Sequence, residues 1–537
     1  MRILRVLGMA LLLTLVFGLL ALQPAKGDGD IHKVKHVIVI MQENHSFDNY
    51  FGALGYAPGS PYHNGREGCR KDDHNCVDGL ICTVEKDGSL TCFNSNKEDN
   101  GSLVAAFHDP KRCASPDLNH SWFETHEELN FLHPNNALRD ADNNGFVLVN
   151  DATEQLDKGV EGPTEDQTMG FYNQNDIPFY YNLATNFAIS DRYFASVPGP
   201  TFPNRSYLLA ATSFGHLTTS DTFPPAGGYR PITGTIFDLL EKNSVSWADY
   251  FQDAPQGGSF RPFSATAVDP HFLPLKLFLA QAAGVPGVGG LPSVSFIDPN
   301  FGIFGAKFEN DEHPPTDIQR GQAFVSQVVN AVRNGPFWQD SVIFITYDEH
   351  GGYYDHVAPP RARQGHERTP DGISPGQCAD LSNAPLSLQP GGGAECSQNL
   401  LSKTDTTVID AAKLCPDFAA NPTGPYPEEC ASFDQLGVRV PFVAVSPFAK
   451  PRYVSHTTGD HTSLLAFIEK RFLTIASPAD NDGDDDEDDF APVTRLHLTK
   501  RDQHAHTLED LFDFDSAPSA GTVVITALPP AQDCTPR

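Results

Sequence analysis

Hydrophobic residues in this chain come in short unbroken runs that stop abruptly at acids or amides. Val37 to Met41 is one such run, and it ends at Glu43-Asn44. Val342-Ile343-Phe344-Ile345-Thr346-Tyr347 is another, ending at Asp348-Glu349-His350. Val294 to Ile297, closed by Asp298, repeats the pattern, and Val440 to Val445 is a further apolar stretch. Runs of this length that do not alternate predict strands buried on both faces, as in a parallel sheet. Between them the period lengthens. Pro315 to Arg333 places Ile318, Phe324, Val328 and Val332 on one helical face, and His461 to Phe472 does the same with Leu464, Leu465, Ile468 and Phe472. Thr235 to Tyr250 combines a helical segment (Ile236, Leu239, Leu240) with a short strand at Trp247-Tyr250. Alternating strand and helix signals predict an α/β fold, with a central, mostly parallel sheet flanked by helices. Ligands of such sheets bind beyond the carboxyl ends of the strands. Two runs far apart in sequence can therefore deliver Glu43, Asn44, Asp348 and Glu349 to one oxygen-rich site.

Composition sets the surroundings of that sheet. The chain has 537 residues, 40% of them hydrophobic, enough for a sizeable core. Its net charge of −31 argues against nucleic acid as a partner and against attraction to an anionic membrane surface. Residues 1–27 read as a secretory signal peptide: Arg2 and Arg5, an apolar stretch from Val6 to Leu22, then Ala25-Lys26-Gly27. The expected location is secreted, periplasmic or at the cell surface, with no membrane span after signal cleavage. Ten cysteines fall in two clusters, Cys69, Cys76, Cys82, Cys92 and Cys113, then Cys378, Cys396, Cys415 and Cys430, with Cys534 near the end. In an exported chain this predicts disulfides. If Cys534 counts with the second cluster, each holds five, so a bridge joins the clusters or one thiol in each stays free. Residues 28–500 are expected to form the catalytic domain, with cysteine-rich insertions at 56–113 and 359–435, and 501–537 a C-terminal tail. Two acidic loops, 140–151 and 480–489, read as solvated loops or calcium sites.

A nucleophile, a source of positive charge and a proton donor for a leaving group together make a hydrolytic site for an anionic ester, and the chain offers a candidate for each. Thr201 precedes a helix start, Phe202-Pro203-Asn204-Arg205, where the backbone favours anions. Locally it reads as a helix cap more readily than as a nucleophile. A free hydroxyl needs a cation to attack at neutral pH. The four strand-end oxygen ligands suit one divalent ion: calcium, magnesium, manganese or zinc. His120, His126, His313, His350, His356 and His461 are candidates for phosphate contact or proton transfer.

Several ordered blocks resemble the bacterial phosphoesterase family, which contains phospholipases C and secreted acid phosphatases. They are Gln42-Glu43-Asn44-His45-Ser46-Phe47-Asp48, Asn119-His120-Ser121-Trp122 with His126 and Asn130, and Asp176-Ile177-Pro178-Phe179-Tyr180. Gly199-Pro200-Thr201-Phe202-Pro203-Asn204-Arg205, Glu312-His313-Pro314-Pro315 with Asp317, Tyr347-Asp348-Glu349-His350-Gly351-Gly352 with Asp355-His356, and Asp460-His461-Thr462-Ser463 complete them. The resemblance covers about residues 34–475. It implies an alkaline-phosphatase-like fold and a covalent phospho-enzyme at Thr201. It implies a metal bound by Glu43, Asn44, Asp348, Glu349 and Thr201, with Glu349 the variable position. It assigns catalytic roles to His120, His313 and His356 and substrate contacts to His126, Asn204, Arg205 and His461. Asp355 and His461 are also candidates for merely orienting neighbours. The expected substrate is a phospholipid or a small phosphate ester. Phospholipase C action is favoured, a broad acid phosphatase is the alternative, and a non-catalytic calcium-binding surface protein is the reading from a different class.

Overall fold

The computed structural model describes residues 30–65, 68–113, 117–136, 141–150, 165–219, 228–260, 269–303, 305–362, 370–373, 433–476, 493–516, 528–532 and Cys534. Residues 1–27, the loop 480–489, most of 359–435 with its four cysteines, and both Asp140 and Asp151 lie outside them.

The apolar runs form one eight-stranded sheet. Its strands in chain order are β1 (His36–Gln42), β2 (Ala188–Ser190), β3 (Trp247–Phe251), β4 (Phe272–Pro274), β5 (Val294–Ile297), β6 (Ser341–Tyr347), β7 (Phe442–Val445) and β8 (Tyr453–Ser455). Across the sheet the order is β4-β3-β5-β1-β6-β7-β2-β8. All neighbours are parallel except those of β7, which runs against both β6 and β2. The mixed α/β, mostly parallel architecture is therefore the one the sequence pattern predicts.

The pairing that matters is β1 with β6. They run parallel in register, Ile40 opposite Ile345 and Gln42 opposite Tyr347. Two carboxyl ends thus finish side by side, which is why Glu43-Asn44 and Asp348-Glu349 emerge together. Every residue of β6 is buried, as are all of β1 after His36, consistent with a sheet covered on both faces. Four helices are needed to describe the site: α1 (Trp122–Leu129), α2 (Thr201–Ala210), α3 (Ile318–Arg333) and α4 (His461–Phe472). The apolar stripes predicted for α3 and α4 are buried, including Ile318, Val328, Val332, Leu464, Leu465 and Ile468.

The insertion at 56–113 folds into small two-stranded pieces held by Cys69–Cys76 and Cys82–Cys92. A third disulfide, Cys113–Cys534, joins the two cysteine groups. Residues assigned to the tail are partly packed on the main body: Arg501 is buried in an ion pair with Asp460, and Phe512 and Phe514 belong to the core. Among the described residues no helix is long and apolar enough to cross a membrane.

Candidate active site

At the β1 end the chain turns sharply. Asn44 has a left-handed backbone (φ 63°), which asparagine tolerates better than most residues. Gly351, also left-handed (φ 62°), crosses directly above it. A Cβ at Gly351 would meet Asn44 O at 2.4 Å, so the β6 loop approaches this closely only because the residue is glycine. Asp348 Oδ1 accepts the Glu349 N–H at 2.7 Å, and Gly351 N–H donates to Glu349 Oε2 at 2.7 Å. The second acid is thereby fixed beside the first.

Thr201 is the first residue of α2 and Pro200 caps it, one position away from the cap expected for Thr201. The approach to the helix is set by Asn204. Its Nδ2 donates to Gly199 O at 2.7 Å and to Val197 O at 3.2 Å, and its Oδ1 accepts the Val197 N–H at 3.0 Å. Asn204 is fully buried, so it holds the backbone before Thr201 and does not meet substrate.

One turn on, Arg205 ties the helix to both strand ends. Nε donates to Asp348 Oδ2 at 3.1 Å, Nη2 stands 3.0 Å from Glu43 Oε1, and Nη1 donates to Gln256 Oε1 at 3.2 Å. Its guanidinium also stacks on Phe301, 5.0 Å from the ring centre. Burial works against its charge, but Glu43 and Asp348 more than compensate and raise its pKa. Burial pushes the Asp348 carboxyl up to about 7, against the pull of Arg205.

These groups open onto a cavity of about 960 Å³. Thr201, Arg205, Glu43, His120 and His313 line it, with Phe123, Phe202, Phe301 and Ile303 as apolar walls. His120 Nδ1 bonds to Leu118 O at 2.7 Å, which leaves Nε2 facing Asn44 Nδ2 at 3.4 Å and Glu349 Oε1 at 3.7 Å. His313 lies across from it, the two rings 6.3 Å apart edge to face. Burial would lower the His313 pKa, but Asp117, Glu43 and Asp311 overcome this and hold it at about 10. His313 is projected from Glu312, whose own backbone is left-handed (φ 77°). The buried Glu312 carboxylate accepts from Tyr180 at 2.5 Å, Tyr347 at 2.6 Å and the Tyr50 hydroxyl.

Seven of the twelve expected site residues do not line the cavity: the expected metal ligands Asn44, Asp348 and Glu349, and four more, His356, His126, His461 and Asn204. His356 lies in a separate buried cluster, its Nδ1 2.7 Å from Asp48 and Nε2 3.2 Å from Asp78, with Arg439 bridging Asp48 and Asp355. Its sequence neighbours turn the chain away from the β6 end, so the catalytic expectation for it is corrected to a structural one. His126 is buried in α1, its Nδ1 bonded to Trp122 O at 2.6 Å. His461 Nε2 bonds to Asp348 O at 2.7 Å, so it supports the backbone of the loop after β6. Burial lowers both rings to a pKa of about 4, so they are neutral. Asn204 is the fourth. His350 also works from behind: its Nε2 meets Glu128 at 2.7 Å and its Nδ1 meets Glu349 at 3.3 Å. Asp355 pairs with Arg439 at 2.8 Å and so orients a neighbour, as was open from sequence. In the acidic loop, Asn144 Oδ1 accepts the Phe131 N–H and Asn143 Nδ2 donates to Asp355 O, while Asn143 Oδ1 is buried without a hydrogen-bond partner.

The expected metal ligands fit a hard cation in one respect that geometry makes plain. Asn44 Oδ1 and Glu349 Oε1 are buried with no hydrogen-bond partner, an arrangement that a bound cation would relieve. Arg205 stands between Glu43 and Asp348, so those two carboxylates would be shared with the guanidinium. Among the described residues the acids Glu43, Asp348 and Glu349 are not clustered with donor atoms mutually within 4.8 Å, whereas Asp117, His120 and His313 are, and the two histidines line the cavity. Sequence reasoning missed Asp117, Glu128, Gln256, Glu309 and Asp311. Asp311 sits two residues before His313 and was within reach of the motif, whereas nothing near Glu128 or Gln256 signals a role.

A hydroxyl, a buried guanidinium and two histidines facing one cavity suit an enzyme that handles a phosphoryl group. A Phosphoesterase family model matches residues 34–474, and the chain belongs to that family, as a hydrolase of phosphoric esters. It is 26% identical to the non-specific phospholipase C4 of Arabidopsis thaliana over 521 residues, covering 96% of this chain and 76% of that protein. It is 29% identical to non-specific phospholipase C6 of the same plant, covering 90% and 73%. The non-hemolytic phospholipase C of Burkholderia pseudomallei (strain K96243) is 29% identical, with 84% of this chain covered but only 57% of that protein. Among solved structures, human ectonucleotide pyrophosphatase/phosphodiesterase 5 aligns over 56% of this chain and 91% of that chain, at 10% identity and a TM-score of 0.28, too distant to support any inference.

Proposed function

We propose that this enzyme is a secreted, metal-dependent phospholipase C that acts through a covalent phospho-Thr201. The observation that carries the reading is the cavity: Thr201 and Arg205 share it with His120 and His313, and its aromatic walls suit more than a small monoester. A divalent cation held by Glu43, Asn44, Asp348, Glu349 and the Thr201 hydroxyl would lower the pKa of that hydroxyl and neutralise phosphoryl oxygens.

The protein's own groups supply the rest. Thr201 Oγ1 attacks phosphorus as its proton passes to His120 Nε2, the ring nitrogen opposite the one bonded to Leu118 O. The phosphorus–glycerol oxygen bond breaks, and the departing alkoxide takes a proton from His313, which its acidic neighbours keep charged at neutral pH. Arg205, fixed by Asp348 and Glu43, presents positive charge to the phosphoryl oxygens. Water then attacks phosphorus and gives its proton to His313. The Thr201–phosphorus bond breaks, and the His120 proton returns to the hydroxyl.

Export is supported by the signal-like residues 1–27 and by three disulfides, which persist in oxidising compartments. The test is hydrolysis by purified protein with added calcium, magnesium, manganese or zinc, comparing phosphatidylcholine with p-nitrophenyl phosphate. Release of phosphocholine with little monoester turnover is expected. The reverse preference would make it an acid phosphatase, and no turnover with any ion would favour a non-catalytic protein.

A further inference from the structure

The rim of the cavity carries a feature that the chemistry above does not use. The loop after β5 is closed at its base by two hydrogen bonds: Asn310 N–H donates to Asn300 O at 3.0 Å and Asn300 N–H donates to Asn310 Oδ1 at 2.7 Å. Asp253 fixes the outgoing segment, Oδ1 accepting the Phe301 N–H at 3.2 Å and Oδ2 the Ile303 N–H at 3.0 Å. Two successive turns fold the tip, Gly305 N–H to Gly302 O at 2.8 Å and Phe308 N–H to Gly305 O at 3.1 Å. Gly302 has φ +72° and packs against Glu309; a Cβ there would lie 2.9 Å from Glu309 Cδ.

Ile303 and Phe308 follow inward from Gly302 and Glu309, so they share the tip. They are 60% and 57% exposed. A single exposed apolar side chain is ordinary. Two on one tip, held out by dedicated hydrogen bonds at the mouth of an apolar-walled cavity, are not explained by packing. Ile303 belongs to both the tip and the cavity wall. Lys307 is the one charged residue between Phe301 and Phe308, with its Nζ 4.7 Å from the Phe308 ring centre.

We propose that this tip docks the enzyme on a zwitterionic phospholipid surface. The proposal rests on the phospholipid reading above. Ile303 and Phe308 enter the headgroup–acyl boundary, and Lys307 reaches the headgroup phosphates while its stem stays with the apolar residues. A net charge of −31 opposes an anionic surface, so apolar insertion and not charge drives the contact. Ile303 joins this tip to the cavity that Thr201 lines.

The test compares the wild-type protein with Phe308→Ser in two assays, since Phe308 does not line the cavity. In the first, partition onto phosphatidylcholine vesicles is measured by co-sedimentation. Phe308→Ser is expected to weaken it about tenfold, and Phe308→Trp to restore it with a blue shift of the tryptophan emission. In the second, turnover of a short-chain phosphatidylcholine below its critical micelle concentration is expected to be unchanged by Phe308→Ser, because no surface is present. Equal vesicle partition of Phe308→Ser and wild type would overturn the proposal. So would tighter wild-type binding to vesicles containing phosphatidylglycerol. Vesicle binding that depends on Phe308, without wild-type turnover of the monomeric lipid, would keep the docking tip and reject the phospholipase reading.

Discussion

Arg205 Nε lies 3.1 Å from Asp348 Oδ2, which ties the helix carrying Thr201 to the end of β6. The same guanidinium meets Glu43, so one side chain sets the helix against both strand ends. Lysine offers a single point of charge and cannot keep all of these contacts. Arg205→Lys is expected to lower kcat/KM by about 100-fold or more and to destabilise the fold by about 3 kcal/mol, since a buried pair is broken. Steady-state kinetics and urea unfolding of the same preparation check both. Wild-type kinetics in the lysine variant would remove Arg205 from the site.

His356 is predicted to matter for stability and not for chemistry. Burial opposes its charge, but Asp48 and Asp78 outweigh burial and raise its pKa to about 10 from 6.5. A raised folded-state pKa contributes stability that is fully present below pH 6.5 and is lost as pH rises through 10. His356→Gln should therefore lower stability by about 1–2 kcal/mol at pH 6 and narrow its gap to wild type toward pH 10. The readout is Tm against pH, with kcat at pH 7 as the control. A large fall in kcat with unchanged Tm would restore the catalytic role that the sequence suggested.

Asn204 holds the backbone from Val197 to Pro200 and so aims Thr201. Asn204→Ala strands several buried backbone groups and should cost about 1–3 kcal/mol. Misplaced by even a fraction of an ångström, the nucleophile should lose kcat more than KM. A rise in KM with unchanged kcat would instead put Asn204 in contact with substrate.

Chelation should abolish turnover, and re-addition of a divalent ion should restore it. Because Asn44 Oδ1 and Glu349 Oε1 are buried without hydrogen-bond partners, the ion should also stabilise the fold, by about 2.7 kcal/mol at a hundredfold excess over Kd. Differential scanning calorimetry with and without chelator measures this directly. An unchanged Tm would mean that these oxygens do not hold a metal.

The sheet was legible because it is buried on both faces. Val37–Met41 and Ser341–Tyr347 carry little besides apolar side chains, and their abrupt polar ends marked the site. Glu43 was marked by its strand end and Thr201 by its helix start, whereas His120, His313 and Arg205 were singled out by blocks that resemble the family. Proximity across the fold was not legible. His356 lies six residues beyond His350, yet two left-handed glycines, Gly351 and Gly352, carry the chain away to Asp48 and Arg439. Asn204 and His461 match the expected pattern in residue type, but their partners are backbone carbonyls, which side-chain sequence does not reveal. The tyrosine cage around Glu312 draws on Tyr50, Tyr180 and Tyr347, from three separate segments, and has no local signature.

The central claim is that Thr201 carries the phosphoryl group. Thr201 is half-buried at the first position of its helix, so Thr201→Ala should change stability by no more than about 0.5 kcal/mol. The direct measurement is rapid acid quench of turnover with phospholipid labelled in its phosphate, followed by mapping of labelled peptides. The account predicts stoichiometric label on the peptide containing Thr201 in wild type, and neither label nor turnover in Thr201→Ala. Turnover by the alanine variant, or label on a different residue, would contradict it.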